Sequence, residues 1–270
     1  MNGKAGRAGI TLPLITLGVA AFFALFPGVL GPDALAQDLL NSGLPPLSKG
    51  HFLGTDALGR DVLKLTAAGT RSALAGPVCI AGGSLLIGVL LGSLAGWFGG
   101  PLDRIISLYT DLTLAMPSLL LAIVAAGIMG GGYSVGVAVL IALYSPFDIR
   151  LVRSAVISQK RKPYIEAAIT QRLSPARILA RHIFPNITLL ILVNFFLNIA
   201  YGMVSMASLS FLGMGAAPGA PDWGRQLADG RALLFQNPAS ALSAGLAIIL
   251  TAASINIMGA RITEEKALPL

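Results

Sequence analysis

The stretch Tyr164–Asn186, YIEAAITQRLSPARILARHIFPN, is a polar, helix-forming segment that lies between two long apolar runs. Basic residues precede it: Arg150, Arg153, Lys160, Arg161 and Lys162. The sequence on both sides predicts membrane-spanning helices, because about 20 consecutive apolar residues suffice to cross a bilayer. A polar segment with an excess of Lys and Arg inside a membrane domain is typical of the cytoplasmic face. We therefore expect this stretch to contact a cytoplasmic partner.

The composition excludes an ordinary soluble domain. Of the 270 residues, 55% are hydrophobic and 11% are charged, and the mean hydropathy is +0.78. Soluble domains carry about 25% charged residues. An all-α, polytopic membrane protein is predicted, because a helix satisfies its own backbone hydrogen bonds in lipid. Cys79 stands alone in an apolar run, so we expect a small buried residue and neither a disulfide framework nor a thiolate metal site.

Six apolar runs predict six transmembrane helices. The first, Ile10–Leu30, also resembles a secretory signal, but it is longer than the roughly 7–15 apolar residues of one, so we interpret it as a retained span. The other five runs are Leu74–Trp97, Ile105–Met129, Ser134–Leu151, Ile187–Leu212 and Ala239–Met258. The chain thus divides into a first segment with its helix (1–30), an extracytoplasmic loop (31–71) and a membrane domain (72–270).

Glycines recur in the second span and in the turns that follow. Gly88, Gly92 and Gly96 recur every four residues, a spacing that lets two helix backbones approach closely, and they predict a packing face. Trp97 and Phe98 stand where an interfacial aromatic anchor is expected. Turns are predicted at 99–101 and 130–132.

The basic residues are distributed unevenly between the two sides of the predicted topology. With the N-terminus inside, thirteen lie on the cytoplasmic side: Lys4, Arg7, Arg104, Arg150, Arg153, Lys160, Arg161, Lys162, Arg172, Arg177, Arg181, Arg261 and Lys266. Six lie outside, and six outer acids balance them, so the net charge of +7 lies inside. This asymmetry predicts that both termini are cytoplasmic. It argues against nucleic-acid binding, because the cations are spread over several loops rather than along one groove.

Several blocks of the chain carry a family likeness. Glu166-Ala167-Ala168, with Ile183, Pro185 and Asn186 downstream, resembles the cytoplasmic coupling loop of ABC-importer permeases. The run HFLGTDALGRD at 51–61 is similar to the loop after the first span in oligopeptide, dipeptide and nickel importer permeases. Further blocks match in the expected order: GWFGG at 96–100, MPS at 116–118, SLSFLGMG at 208–215 and DWG at 222–224. Glu166-Ala167-Ala168 alone would not be specific, but the five other blocks, in order on a six-span topology, make the likeness specific.

The resemblance implies a permease subunit in a bacterial cytoplasmic membrane, importing peptides, nickel or metal-chelate substrates. Its implied partners are a second permease, two cytoplasmic ATPases that bind the ATP and Mg²⁺, and an extracytoplasmic solute-binding protein. The subunit itself would hold no catalytic site, cofactor or metal. The segment 163–173, between spans four and five, would be the coupling helix. Its implied ATPase-coupling residues are Tyr164, Glu166, Ala167, Ala168, Gln171 and Arg172.

Arg172 departs from the family pattern, which has Gly at this position. Pro175 disfavours a helical Ser174, Ser174 is a good N-cap, and Pro175 suits the first position of the next helix. We therefore predict that the helix breaks at Leu173–Ser174 and that Arg172 remains right-handed.

Two other functions are weighed against the importer permease. An ion-coupled secondary transporter needs ionisable groups near the membrane midplane. Asp111 and Asp148, the only acids in the predicted spans, both lie toward a span end. Asp111 is expected to reach the interface or to pair with Arg104. An intramembrane enzyme would need catalytic side chains that lie close together, but Cys79, His51 and His182 lie in separate segments. We expect His51 to be a solvated loop residue. The absence of a Walker-type motif excludes the ATPase itself.

Overall fold

The fold is all-helical in the computed structural model, which describes residues 3–31 and 33–267, with side chains described at 10–31 and 33–262. The ten α-helices in these ranges are α1 (Gly3–Leu25), α2 (Val62–Phe98), α3 (Gly100–Leu114), α4 (Ser118–Ile128), α5 (Tyr133–Lys160), α6 (Pro163–Thr170), α7 (Pro175–Ile178), α8 (Phe184–Phe211), α9 (Trp223–Gly230) and α10 (Ala239–Ala267). A π-helical segment, Leu179–Ile183, joins α7 to α8. In place of strands, the described residues form only two isolated β-bridges, both in the first loop. The side chains of Lys4, Arg7 and Lys266, which were assigned to the cytoplasmic side, lie outside those described.

Four helical stretches are long and apolar enough to cross a membrane: Val62–Phe98, Tyr133–Lys160, Pro175–Phe211 and Ala239–Ile262. The pair α3 and α4 meets the same test only when taken together. Within α1, the shorter apolar part is Ile10–Leu25. The described residues therefore provide four candidate spans, or five if the bent pair counts as one.

The predicted single helix Ile105–Met129 is wrong, because α3 and α4 meet at 93° across a break of three residues. Pro117 lies at this break with an extended backbone, at φ −61° and ψ 115°. Proline has no backbone N–H to donate and disfavours a helical conformation for the residue before it. Pro117 in the sequence is the cause of the bend, but the continuous apolar pattern around it gave no sign of one.

The helices α2 and α5 pack side by side through the predicted glycine face, which confirms it. A Cβ atom added to Gly88 would collide with Asp148, and one on Gly92 would lie 2.6 Å from the carbonyl oxygen of Ile149. A Cβ atom on Gly96 would lie 2.9 Å from the carbonyl oxygen of Arg153. Both partner sets advance together along the chain, so α2 and α5 run in the same direction.

Because α2 and α5 are parallel, the chain between them must return from one end of the bundle to the other. The bent pair α3–α4 makes this return. Gly99 follows the last residue of α2, and beyond α4 the amide of Gly132 donates to the carbonyl of Met214, at 3.1 Å. Met214 lies just beyond the end of α8, so Gly132 lies at the opposite end of the bundle. We call the end formed by 33–61 and 213–238 the loop end, and the end that carries α6 the α6 end.

At the loop end, the first loop is joined to the last one by buried polar contacts. Arg60 forms a buried ion pair with Asp56, with 2.6 Å between Nε and Oδ2, and its Nη1 donates to the carbonyl of Gly219 at 3.0 Å. The side-chain amide of Asn237 donates to the carbonyls of Leu53 and Thr55, each at 3.0 Å. The loop therefore has a defined conformation, which balanced charges alone did not predict.

His51 is not the solvated loop residue that the sequence suggested. Its Nδ1 lies 2.8 Å from Oδ2 of Asp61, and the other carboxylate oxygen of Asp61 accepts from the backbone of Lys64 and caps α2. The helix begins here at Val62 rather than at Leu74. The first turns of α2 contain polar residues, so the apolar pattern did not show that the helix begins there. These turns pack against α9 and α10 instead of lipid: Thr66 accepts from Gln226 at 2.8 Å.

Two further residues in α2 differ from the prediction. Cys79 is exposed rather than buried, because it lies on the outer face of the helix. Trp97, expected as an interfacial anchor, is buried beneath α6, whereas Phe98 is exposed. The predicted turns at 99–101 and 130–132 are confirmed by positive φ at five glycines.

The close contact between α2 and α5 predicts a contrast between two glycines of the same helix. Gly92→Ala should destabilise the protein by about 1–3 kcal/mol, because the new methyl group is forced against the α5 backbone. A Cβ atom on Gly82 would have no neighbour within 4 Å, so Gly82→Ala should be neutral or stabilising by up to about 1 kcal/mol. Thermal unfolding of the purified permease in detergent measures both. Equal stability of the two variants would contradict the packing argument.

Candidate functional site

The helix α6 is short, begins with Pro163 at its first turn, and is amphipathic. Proline suits this position because the first N–H groups of a helix have no intrahelical partner. Glu166 lies in the first turn, where its negative charge is favoured by the helix dipole. The two inward side chains, Ile165 and Ala168, are buried. They belong to one apolar cluster with Trp97, Val152, Val156, Ile178, Ile183 and Ile187. The helix is therefore packed against α2, α5, α7 and the start of α8.

Five of the six residues predicted for ATPase coupling share the outer surface of this segment. Tyr164, Glu166, Ala167, Gln171 and Arg172 are all exposed. Ala168 is buried, at 5% exposure, so it holds the helix to the bundle and is not available to a docking partner. The hydroxyl of Tyr164 donates to Oε1 of Gln159 at 2.6 Å, which fixes the ring beside the end of α5.

Lys160 joins the ends of two long helices next to α6. Its Nζ donates to the carbonyl oxygen of Trp97 at 2.6 Å and lies 5.2 Å from the centre of the Trp97 ring. This contact satisfies one of the carbonyls that the end of α2 leaves without an intrahelical partner. A cavity of about 410 Å³ lies here, and Glu166 and Arg161 are among its lining residues. The α6 end is thus rigid where α2 meets α5 and open beside Glu166.

Arg172 has a left-handed backbone, with φ +56°, so the prediction of a right-handed residue is wrong. The helix ends in a Schellman arrangement: the amide of Arg172 donates to Ile169 at 2.9 Å, and that of Leu173 donates to Ala168 at 3.3 Å. These bonds satisfy carbonyls at the helix end, and Leu173 packs on the apolar cluster below. The helix ends at Thr170, earlier than the predicted break at Leu173–Ser174, because the left-handed Arg172 turns the chain in the way that the glycine of the family pattern would.

The surface around α6 is strongly basic. Arg161, Lys162, Arg172, Arg177 and Arg181 are exposed, and Glu166 is the one acid between 161 and 183. Among the described residues, none of these five bases takes part in an ion pair within 4.0 Å. Their charges are available to a partner or to lipid phosphates.

Two ion pairs connect α3 to α5. Nη2 of Arg150 lies 2.6 Å from Oδ1 of Asp111, so the suggested pairing of Asp111 with Arg104 is wrong. Arg153 binds both carboxylate oxygens of Asp103, with 2.7 Å between Nη2 and Oδ2. A guanidinium group that binds both oxygens of a carboxylate fixes the orientation of the two side chains as well as their distance.

A second polar group, missed by the sequence analysis, lies inside the bundle. Asp148 is completely buried near the midpoint of α5, and the expectation that it lies toward a span end is wrong. The side-chain amides of Asn194 and Asn198, both on α8, donate to its carboxylate. One signal was present in the sequence: these two asparagines are four residues apart in an apolar run, and so share one helix face.

These features define a polytopic helical membrane protein that presents a short amphipathic helix at one end of its bundle. Residues 88–264 match the family described as binding-protein-dependent transport system inner membrane component, and the chain belongs to this family. The resemblance to ABC-importer permeases of the oligopeptide and dipeptide type is thereby confirmed, and the chain is a membrane permease subunit of an ATP-driven, binding-protein-dependent importer.

Two relatives are informative. The chain is 40% identical over 223 residues to the glutathione transport system permease protein GsiD of Pectobacterium atrosepticum, covering 82% of this chain and 73% of the relative. It is 33% identical over 246 residues to the dipeptide transport system permease protein DppC of Alkalihalophilus pseudofirmus, covering 91% and 81%. A solved structure of the MetNI methionine ABC transporter in an inward-facing conformation has a similar fold. Its TM-score is 0.61 at 18% identity, over 75% of this chain and 96% of that one.

The left-handed Arg172 predicts an unusual stabilising substitution. Arg172→Gly should raise the stability by about 1 kcal/mol, because a left-handed conformation costs an L-residue roughly 1–2 kcal/mol and glycine almost nothing. Arg172→Ala removes the same side chain but keeps the strain, so it is the matched control. Thermal unfolding of the three purified proteins tests this. An alanine variant as stable as the glycine variant would show that charge, not backbone strain, is responsible.

Proposed function

We propose that this chain imports small peptides and that the outer surface of α6 is its contact with a cytoplasmic ATPase. One observation carries the coupling role: α6 and the turn after it present Glu166, Ala167, Gln171 and Arg172 outward. Ile165 and Ala168, on the other face of α6, are buried in the bundle. A partner that binds the exposed face and then moves would therefore displace a helix that is packed against the membrane helices.

The apolar cluster beneath α6 supports transmission of such a movement. Ile165 shares this cluster with Val152 and Val156 of α5 and with Ile187 of α8. Protein interiors are close-packed and transmit strain, so a displacement of α6 pushes on both long helices. Rigid-body shifts of packed elements are a known form of switching between two states. ATP hydrolysed by the partner would in this way alter the membrane path without any chemistry in this chain.

The exposed charges support a partner of complementary character. Glu166 would pair with a base on the ATPase, and the surrounding bases would meet acidic groups or lipid phosphates. The complete importer would contain a second permease, two ATPases that bind the ATP and Mg²⁺, and an extracytoplasmic solute-binding protein. The family name supports dependence on a binding protein. This subunit would form half of the path in a bacterial cytoplasmic membrane.

The topology that fits this role has six spans and cytoplasmic termini. The helix α1 would supply the sixth span: its apolar part, Ile10–Leu25, extends about 24 Å at 1.5 Å per residue, most of the roughly 30 Å apolar core of a bilayer. The bent pair α3–α4 is another span. The positive residues concentrated at the α6 end favour the cytoplasm for that side, so the loop end would face outward and receive the binding protein.

Peptides are the substrates that the relatives favour. One of the two relatives reported above is named for glutathione transport and the other for dipeptide transport. Neither name supports nickel or metal chelates, which the sequence resemblance also allowed. Reconstituting this permease with its partners in proteoliposomes tests the proposal: ATP-dependent uptake of a dipeptide or of glutathione is expected. Uptake of nickel with no uptake of either peptide would contradict it.

Reversing the charge at position 166 should break the coupling. Glu166→Lys is expected to abolish most peptide uptake, through lost ATPase assembly or through ATP hydrolysis no longer linked to transport. Uptake and ATPase activity of the reconstituted complex are measured together. Ala176→Lys adds a charge at an exposed position next to α6, outside the predicted coupling residues, and serves as the control for a general electrostatic effect. Normal uptake and normal ATPase association in Glu166→Lys would refute the assignment.

Orientation is tested by labelling one residue at each end. Ala217 is exposed in the last loop and Ala176 is exposed next to α6, whereas the neighbouring Ala216 is buried and unsuitable. In a Cys79→Ala background, Ala217→Cys should react with a membrane-impermeant maleimide on intact cells. Ala176→Cys should react only after the membrane is permeabilised. The opposite pattern would reverse the topology.

A further inference from the structure

A cavity lies within the membrane part of the bundle, between the bent pair, α5 and α8. Its volume is about 530 Å³, which falls in the range of roughly 300–1,000 Å³ typical of small-molecule sites. Most of its wall is apolar, with Leu143, Phe147 and Leu197 as examples. Asn194 and Asn198 are polar groups in this wall, and both lie near the middle of α8.

Both asparagines are oriented by the carboxylate of Asp148 behind them. Nδ2 of Asn194 donates to Oδ1 of Asp148 at 2.5 Å, and Nδ2 of Asn198 donates to Oδ1 and Oδ2 at 2.9 and 3.0 Å. Because the N–H groups face Asp148, the amide oxygens are directed away from it. Within the part of the chain that the structure describes, these two oxygens accept no hydrogen bond. Neither is among the fully buried polar atoms that lack a partner. They are therefore open to the cavity.

The carboxyl group of Asp148, behind this wall, has no basic partner among the described residues. The two nearest arginines along α5 are engaged elsewhere: Arg150 binds Asp111 and Arg153 binds Asp103. The side-chain amides of Asn194 and Asn198 surround this carboxyl group, and Asn198 also donates to the hydroxyl of Ser84 at 3.5 Å. An amide that donates to a carboxylate is polarised, which makes its oxygen a stronger acceptor. An ionisable residue at membrane depth is costly and marks a functional site by default.

We infer that the paired amide oxygens of Asn194 and Asn198, backed by Asp148, form a subsite for the α-ammonium group of a small peptide as it passes through the membrane. An ammonium group has three donors and no acceptor, which suits two open acceptors in an electronegative wall. The apolar remainder of the cavity would accept the side chains with little discrimination. This inference rests on the proposed import of peptides, and it assigns the recognition of one terminus to this subunit.

The experiment compares a free dipeptide, alanyl-phenylalanine, with its N-acetylated form. Binding to the purified permease–ATPase complex is measured without the solute-binding protein, so that the selectivity of the latter does not contribute. The wild-type complex should bind the free dipeptide about tenfold more tightly, as expected for one charge-assisted hydrogen-bond set. Asp148→Asn, which keeps the shape of the side chain, should bring the ratio of the two dissociation constants close to one. Asn198→Leu should have the same effect.

Leu197→Ala is the matched control, because Leu197 lies on the same helix and lines the same cavity without a polar group. It should change the affinity for both peptides equally and leave their ratio intact, as any merely structural effect would. An unchanged ratio in Asp148→Asn, or binding of neither peptide by the wild-type complex, would overturn the inference. ATP-dependent peptide uptake by the complete importer, with the solute-binding protein added back, separates the two proposals: uptake together with binding that lacks amine selectivity refutes the subsite alone, and no uptake refutes peptide import.

Discussion

The direct contact between the backbones of α2 and α5 is the constraint on which the rest of the structure depends. Three glycines, Gly88, Gly92 and Gly96, leave no side chain between the two helices, so each successive turn of α2 lies against α5. In lipid there is little hydrophobic drive between helices, and close packing takes its place. Because this contact is parallel, the chain must return through α3 and α4. The connections at both ends of the bundle follow from that return, and Pro117 bends it.

The same pair of helices supports the candidate coupling site. Trp97 at the end of α2 and Lys160 at the end of α5 are joined by a hydrogen bond, and α6 rests on the apolar cluster that both helices share. A short helix of eight residues would be marginal in isolation, since helix nucleation is costly. Here its inner face is buried and its end is closed by the left-handed Arg172. The exposed face can therefore act as a firm surface for a partner.

Polar groups within the bundle are satisfied in two different ways. Asp103 and Asp111 on α3 are paired with arginines of α5. These pairs orient α3 and balance the negative charges of the aspartates with the positive charges of the arginines. Asp148 instead receives amide donors from α8 and has no base beside it among the described residues. The first arrangement is structural and the second leaves acceptors open to a cavity. Amide donors that face a buried carboxyl group leave their own oxygens free to line the cavity as acceptors.

The sequence by itself determined the class of fold, the glycine face, the turns and the outward residues of α6, because each depends on local periodicity or on residue type. It also contained Pro117, but an apolar pattern reports burial in lipid and does not reveal a bend. What only the tertiary structure decided are the relations between distant segments: the position of Asp148 beneath Asn194 and Asn198, the pairing of Asp111 with Arg150, the inward turn of Ala168, and the bonds of the first loop to the last. Arg172 shows the limit most clearly. Local preference favoured a right-handed residue, yet Leu173 must reach the cluster under α6, and that packing outweighs a backbone cost of roughly 1–2 kcal/mol.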